Sequence, residues 1–371
     1  MRLVVLGLSL TSSWGNGHAT TYRALLRAFA ARGHEVLFLE RDQPWYAAHR
    51  DLPRPDFCEL ALYESVSDLA RYRAAIADAD AVMVGSYAPD GMAVGDLVQT
   101  LAQGVAAFYD IDTPVTLAAL ERGDCAYLSP AQIPGYDLYL SFTGGPTLDW
   151  LMTRYGSPVA RALYCSVDET LYRPVETPPT YDLGYLGTYS PDRQPTLDAL
   201  LIEPARRAPE RRFIVAGPQY PRDIDWPANV ERREHVPPAE HAAFYGACRY
   251  TLNVTRADMR RAGWSPSVRL FEAGACGAAI LSDPWAGLED VLTPGSDIAV
   301  VGAPHEVLAH LAAPDTRRRA MGEAARRRVL AAHTAAHRAA DLERHLLATR
   351  GVGGARAAAA DFHKPAAAPE F

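Results

Sequence analysis

Cysteine is scarce and poorly placed for pairing: the 371 residues hold five, Cys58, Cys125, Cys165, Cys248 and Cys276, odd in number and far apart. That excludes a disulfide framework, and no paired spacing offers a structural zinc or a redox dithiol. Long apolar runs are missing too, so no integral membrane segment is expected. The opening MRLVVLGLSL has no charged leader with a small-residue cleavage site behind it, and it passes straight into a glycine-containing turn, which suits a first strand better than a signal peptide. A cytoplasmic location with buried free thiols is the expectation. Positive charge is not in excess: the net charge is −7, which argues against a nucleic-acid partner. The clusters Arg317 to Arg319 and Arg326 to Arg328 sit among Ala, Met and Leu in a helical pattern and read as a solvated face. There is no internal repeat. Low complexity is confined to the end, where residues 351–371 carry no apolar periodicity and read as a disordered tail.

What is present is apolar sequence enough for two cores, 49% of a chain longer than one ordinary domain, so two domains are expected. In the first half strand-like runs alternate with helical ones: Leu3 to Leu8, Thr20 to Arg32, Glu35 to Glu40, Leu69 to Ala77, Ala81 to Gly85, Val105 to Tyr109 and Leu138 to Phe142. This is a parallel α/β pattern. RPVETPPTY, with three prolines in nine residues, reads as a stiff linker over 173–181 between an N-terminal domain, 1–172, and a C-terminal one, 182–350. Alternation then restarts at Asp182 to Leu186, Leu197 to Ala208, Arg212 to Ala216, Ala239 to Ala247, Tyr250 to Val254, Val268 to Ala275 and Ala278 to Leu281. A long helical region, Pro314 to Thr349, can pack back across both domains. Two α/β domains place the active cleft between them, where strand ends converge.

The first strand-to-helix turn carries Gly15, Asn16, Gly17 and His18. Its glycines allow close backbone approach to a ligand, but Thr20 stands where the dinucleotide fingerprint needs glycine, so an NAD role is weak. His18 reads as an acid, base or hydrogen-bond donor, or as a capping histidine. Asp110 and Asp112 in FYDIDTP follow an apolar run and read either as cleft carboxylates able to act as base or as turn residues. No third ligand accompanies them, so no metal is expected. Ser141 to Gly145 is a further strand-to-loop turn. In the second half Gly187 closes a run and Arg193 follows it, a cation for a diphosphate or a surface arginine; Gly217 and Pro218 follow a buried run, as a flat base packing on backbone requires; Asn253, Thr255 and Arg256 end another. Ser267 starts a helix in which Arg269 and Glu272 share a face near the anion-attracting N-terminus. On spacing alone that pair reads as a surface ion pair. His333 and His337 have helical spacing but no third ligand and read as solvent-facing.

Taken together, GNGHATTYRAL, FYDIDTP, DLGYLGTYSPDRQ, LNVTRADM and SPSVRLFEAGACGAAILSD resemble the CgeB-like bacterial glycosyltransferases (glycosyl transferases group 1), over nearly the whole chain. The resemblance implies the GT-B fold, two Rossmann-like domains facing across a cleft, with acceptor on the N-terminal and nucleotide-sugar on the C-terminal domain. It implies that Glu272 accepts ribose hydroxyls, that amides near Ser267 and Val268 meet the diphosphate, and that Arg193 or Arg269 neutralises it without metal. His18, Asp110 or Asp112 would supply a base if the reaction inverts. The sequence departs from the broader retaining relatives at Trp264, where they carry a second glutamate. The expected activity is therefore transfer of a hexose from a UDP- or dTDP-sugar, with no further cofactor, to an acceptor that is a glycan, a small molecule or a protein. A nucleotide-sugar epimerase and a non-catalytic binding subunit are the alternatives.

Overall fold

The computed structural model describes residues 1–14, 17–176 and 178–361, with side chains up to Arg350. The first sheet has seven strands: β1 (Arg2–Gly7), β2 (Glu35–Arg41), β3 (Glu59–Tyr63), β4 (Ala81–Gly85), β5 (Val105–Asp110), β6 (Leu138–Ser141) and β7 (Ala160–Ala162), in the order β3-β2-β1-β4-β5-β6-β7. Every neighbouring pair is parallel. β4, β5 and β6 are buried along their whole length, which is why they read as unbroken apolar runs: helices cover both faces of a parallel sheet. The strand order reverses between β1 and β4, so the loops leaving those two strands diverge and open a crevice at their carboxyl ends.

The second sheet repeats the design with six strands: β8 (Tyr181–Leu186), β9 (Phe213–Ala216), β10 (Val230–Arg233), β11 (Cys248–Asn253), β12 (Ala279–Ser282) and β13 (Ala299–Val300), ordered β10-β9-β8-β11-β12-β13 and again parallel. Its reversal lies between β8 and β11. Each sheet has its own apolar core, with Phe108 and Tyr139 at the centre of one and Phe213 and Leu281 in the other. The expected α/β class with two Rossmann-like domains is the observed one.

The chain divides into two compact units: Met1–Ser141 and Thr147–Leu163 with the residues from Ala339 on, and Phe142–Pro146 with Tyr164–Arg338. The division thus comes before the proline-rich stretch at 173–181. Val167 already bridges to Thr334 and the Tyr172 hydroxyl lies 3.1 Å from His241 Nδ1, both inside the second unit. The final helix, Ala335–Asp361, takes in Gly351 to Asp361 of the stretch expected to be disordered; residues 362–371 lie outside the described residues. Its part beyond Ala339 joins the first unit, where Arg32 Nε donates to Glu343 at 2.9 Å.

In the second unit the helix Asp315–Ala332 crosses Val268–Ala275 closely because small residues meet there. A Cβ on Gly322 would stand 2.1 Å from the Gly277 carbonyl oxygen, and one on Gly274 2.7 Å from Val329. Backbone cannot step aside as a side chain can. Gly322→Ala is therefore expected to destabilise by about 1–3 kcal/mol through overpacking, read as a fall of several degrees in the melting temperature. An unchanged melt would mean the two helices are not tightly seated.

Candidate active site

In the second unit the loops leaving β8, β9 and β11 meet the start of the Val268–Ala275 helix. Gly187 N donates to the Ala216 carbonyl at 2.8 Å, and Gly217 has φ 145 with its missing Cβ only 2.0 Å from the Gly187 oxygen. Only glycine fits there. Gly187, Gly217 and Pro218 are thus brought together, with Tyr189 N bonded to the Pro218 carbonyl at 3.0 Å and Tyr220 Oη to that of Gly187 at 3.1 Å. Sequence reading missed Arg232, whose guanidinium lies over Tyr220 at 4.1 Å and Trp226 at 4.8 Å and donates to the Gly217 carbonyl at 3.0 Å. It holds the loop from beneath.

Ser267 caps the helix, its Oγ accepting from Arg269 N at 3.3 Å, and Val268 is the first helical residue. Arg269 is buried. Its Nε donates to the Leu186 carbonyl at 2.6 Å, its Nη1 to Asn253 Oδ1 at 3.0 Å and Ser267 Oγ at 3.3 Å, and it lies 4.9 Å over the Tyr185 ring. Arg193 donates from Nη2 to the Thr188 carbonyl at 2.7 Å, and its Nε is buried without a partner. Burial first, then the neighbouring charges of Arg269 and Arg256, lower its pKa. Arg193 and Arg269 lean on carbonyls, an amide and a hydroxyl, groups that cancel no charge, and Asp192, held below the usual carboxylate range despite partial burial, in part by Arg256 and Arg193, offsets only part of the total. The result is a positive cluster beside a helix N-terminus, the electrostatic complement of a phosphate.

Arg269 and Glu272 do not form the surface ion pair that their spacing suggested, because tertiary contacts draw them apart. Glu272, also buried, accepts from Tyr245 Oη at 3.1 Å and lies 3.6 Å from His241 Nδ1, which Tyr172 Oη reaches at 3.1 Å. His241 Nε2 sits 3.1 Å from the Val236 carbonyl. The Tyr245 and Tyr172 hydroxyls both bear on this carboxylate, whose remaining lone pairs leave capacity for a pair of hydroxyls.

Trp264, with φ 43, donates from Nε1 to Asp290 at 2.7 Å, and its ring fills the space above Gly145 and Gly287, either of which would put a Cβ 2.5 Å from it. Gly144 N donates to its carbonyl at 2.9 Å. The aromatic ring is thus packed into the frame and does not project as a carboxylate would.

In the first unit His18 opens the helix His18–Ala31. Its ring meets Tyr87 edge-on at 5.2 Å, its Nδ1 is buried without a hydrogen-bond partner, and burial pushes its pKa down to about 4. Tyr87 follows β4 with φ 59, a conformation costly for a bulky residue, and donates to Asp112 Oδ2 at 3.3 Å. So His18 and Asp112 are joined through a tyrosine that periodicity did not single out. Its position at a strand end beside the order reversal was the available signal. Asp110 differs: it is wholly buried, accepting from Thr116 Oγ1 at 2.7 Å, Tyr139 Oη at 2.6 Å and Asp112 N at 3.2 Å, and burial raises its pKa to about 6. A carboxylate so enclosed ties β5 to β6 and the helix Thr113–Arg122 and has no path to an incoming hydroxyl. Gly17 is exposed, and its carbonyl accepts from Thr20 Oγ1 at 2.9 Å; Gly15 lies outside the described residues.

His333 is not solvent-facing. The helix ends at Ala332 and the next begins at Ala335, so His333 turns inward against Phe271 at 5.0 Å and accepts from Arg338 at 2.9 Å. Among the described residues no group of three His, Cys, Asp or Glu gathers as for a metal, and no helix is long and apolar enough to cross a membrane.

Comparison with solved structures shows the GT-B fold of two Rossmann-like domains. A sucrose-phosphate synthase from Thermosynechococcus elongatus aligns over 94% of this chain and 100% of its own with TM-score 0.67 at 16% identity. Anabaena HepE in complex with UDP and glucose gives 94% and 100%, TM-score 0.67 and 13% identity. An alpha-glucosyltransferase in complex with UDP-glucose and DNA covers 94% and 99% with TM-score 0.69 at 12% identity. Residues 193–344 match the family model described as glycosyl transferase-like. That range contains Arg193, Gly217, Arg269 and Glu272. No curated protein matches the chain by sequence.

Proposed function

We propose that this protein is a glycosyltransferase, of the hexosyl type and of the CgeB-like branch, that moves a sugar from a nucleoside diphosphate to an acceptor hydroxyl. The observation that carries it is the gathering of Arg193, Arg256 and Arg269 at the strand ends of the second unit, with Arg193 and Arg269 bonded to neutral partners. Departure of a nucleoside diphosphate builds negative charge, and fixed guanidinium groups with a helix N-terminus stabilise it where other transferases use a metal ion. Glu272 would accept the ribose hydroxyls, with His241 and Tyr245 orienting it. Gly187, Gly217 and Pro218 form the backbone floor for the base. On the first unit neutral His18, with Asp112 beside it through Tyr87, would take the acceptor proton, while Asp110 holds the strand ends in place. A cytoplasmic enzyme fits this reading, since nucleotide-sugars are made and used there.

Thermal-shift measurement against UDP, dTDP and their glucose derivatives tests it. A ligand that binds the folded state alone raises the melting temperature, by about 2.7 kcal/mol of stability at a hundred times its Kd. At least one diphosphate is expected to do so. A protein indifferent to all of them would sink the donor reading, and conversion of a bound sugar without any acceptor would turn it into an epimerase.

A further inference from the structure

We infer that the acceptor is an uncharged saccharide that stacks its ring faces on Trp14 and Trp45; this rests on the glycosyl-transfer reading and names the substrate class of its first-unit site. Both indoles stand in solvent, 52% and 55% exposed, where a tryptophan with no ligand ordinarily hides most of its ring. They are carried by the loops that leave β1 and β2, adjacent strands whose carboxyl ends lie beside the His18 turn.

These loops are built. Glu40, wholly buried at the end of β2, accepts from Leu10 N at 2.6 Å, Thr11 N at 2.9 Å, Thr11 Oγ1 at 2.6 Å and Ser9 Oγ at 3.1 Å. Ser12 Oγ then donates to the His49 carbonyl at 2.8 Å, and the His49 ring meets Trp14 edge-on at 4.6 Å. Trp45 rides on the short helix Pro44–Ala47, whose proline fixes its first turn. A ligand landing here finds Trp14 braced by His49 at 4.6 Å and Trp45 carried beside Tyr46 at 6.1 Å, which limits the conformational entropy lost on binding.

Most charge at this rim is paired off, exposed Arg54 excepted. Arg23 grips Asp51 at 2.9 and 2.7 Å, Arg41 pairs with Asp90, and Arg50 with Asp42. Hydrogen bonds from Arg23 and Ser13, working against partial burial, hold the Asp51 carboxyl well below the usual carboxylate range, so its pair with Arg23 persists at any physiological pH. A phosphate or carboxylate arriving here would have to break one of these pairs or settle for Arg54 alone, a single solvated charge worth little. A neutral pyranose needs none: it offers a C–H face to the indole and a rim of hydroxyls to the polar pairs. A flat aromatic aglycone would gain most in an enclosed apolar cavity, whereas these two rings stand on separate loops, open to water.

The test titrates the full chain, in the presence of UDP, with maltotetraose, cellotetraose, chitotetraose and mannotetraose, and with glucose 6-phosphate and glucuronic acid as charged probes, following tryptophan fluorescence. At least one neutral tetrasaccharide is expected to bind saturably, with Kd raised about tenfold or more in Trp14→Ala and in Trp45→Ala, while UDP affinity by calorimetry and the melting temperature stay as in the wild type. Wild-type saccharide affinity in both variants would overturn the inference. So would a wild-type protein that binds UDP but none of the four. Binding of only the charged probes, lost in Arg54→Ala on the neighbouring loop, would also refute it. Failure to bind any nucleoside diphosphate overturns the donor reading instead, which calorimetry separates from saccharide binding.

Discussion

Arg269→Ala is expected to lower kcat/KM for the nucleotide-sugar about a hundredfold or more, the usual consequence of removing one fixed charge from a preorganised anion site. The same change should cost stability. Arg269 is buried, and its loss strands the Leu186 carbonyl and the Asn253 side chain that it now bonds, about 1–3 kcal/mol for a buried group left without a partner. Arg193→Ala separates the two effects. Its guanidinium donates to the Thr188 carbonyl on an exposed loop, so its removal should reduce turnover about tenfold to a hundredfold with little change in melting temperature. Arg269→Lys keeps charge but cannot reach two acceptors from a planar fork, and should fall between wild type and alanine. Steady-state kinetics beside thermal melts of the three variants decide the matter. Wild-type kcat/KM in a folded Arg269→Ala protein would remove the guanidinium from the diphosphate site.

The central strands were readable because burial on both faces writes a continuous apolar run. β1, β4, β5, β9 and β12 show it. β3, β7, β10 and β13 were not picked out, for the same reason reversed: they lie at the sheet edges and are only partly buried, as in Val230–Arg233, where Val230 alone is buried. The helix Val268–Ala275 was legible to the residue, since Ser267 and its capping bond are local chemistry. What Arg269 and Glu272 do was not. Helical spacing places them on one face, but their partners come from Leu186, Asn253, Tyr245 and His241, remote in sequence and brought near only by the fold. The two aspartates of FYDIDTP show the limit most plainly. Asp110 is still in strand register and is enclosed, whereas Asp112, two residues on, has left the sheet and meets Tyr87. No pattern of residue types distinguishes them. The strained Tyr87 backbone and the niche that Gly145 and Gly287 make for Trp264 are likewise features of three-dimensional packing.

Lowering the pH from 7 to about 4.5 is expected to destabilise the protein by several kcal/mol, with the loss beginning near pH 6.5. Burial pushes His18, His333 and His345 each from 6.5 down to about 4, the positive charges of Arg338 and Arg344 adding to it at the latter two. Above about 6.5 all three are neutral whether the chain is folded or not, and stability is at its full value. Below it the unfolded chain takes up protons that the folded one refuses until about pH 4, so stability declines as pH falls through this window. Each histidine is worth at most about 3 kcal/mol. Asp110 acts the other way: raised from 3.8 to about 6 by burial, it favours the folded state most below 3.8 and loses that contribution as pH rises through 6, which offsets about one histidine. Two remain uncompensated, against a total stability of about 5–15 kcal/mol. Calorimetric melts at pH 7, 6, 5 and 4.5 should show the melting temperature falling steadily, and His333→Gln should flatten the slope by about half. A melting temperature independent of pH across this range would mean that these histidines are hydrated and titrate normally, and His18 would then act on an acceptor as an ordinary solvated imidazole, charging as pH falls through about 6.5.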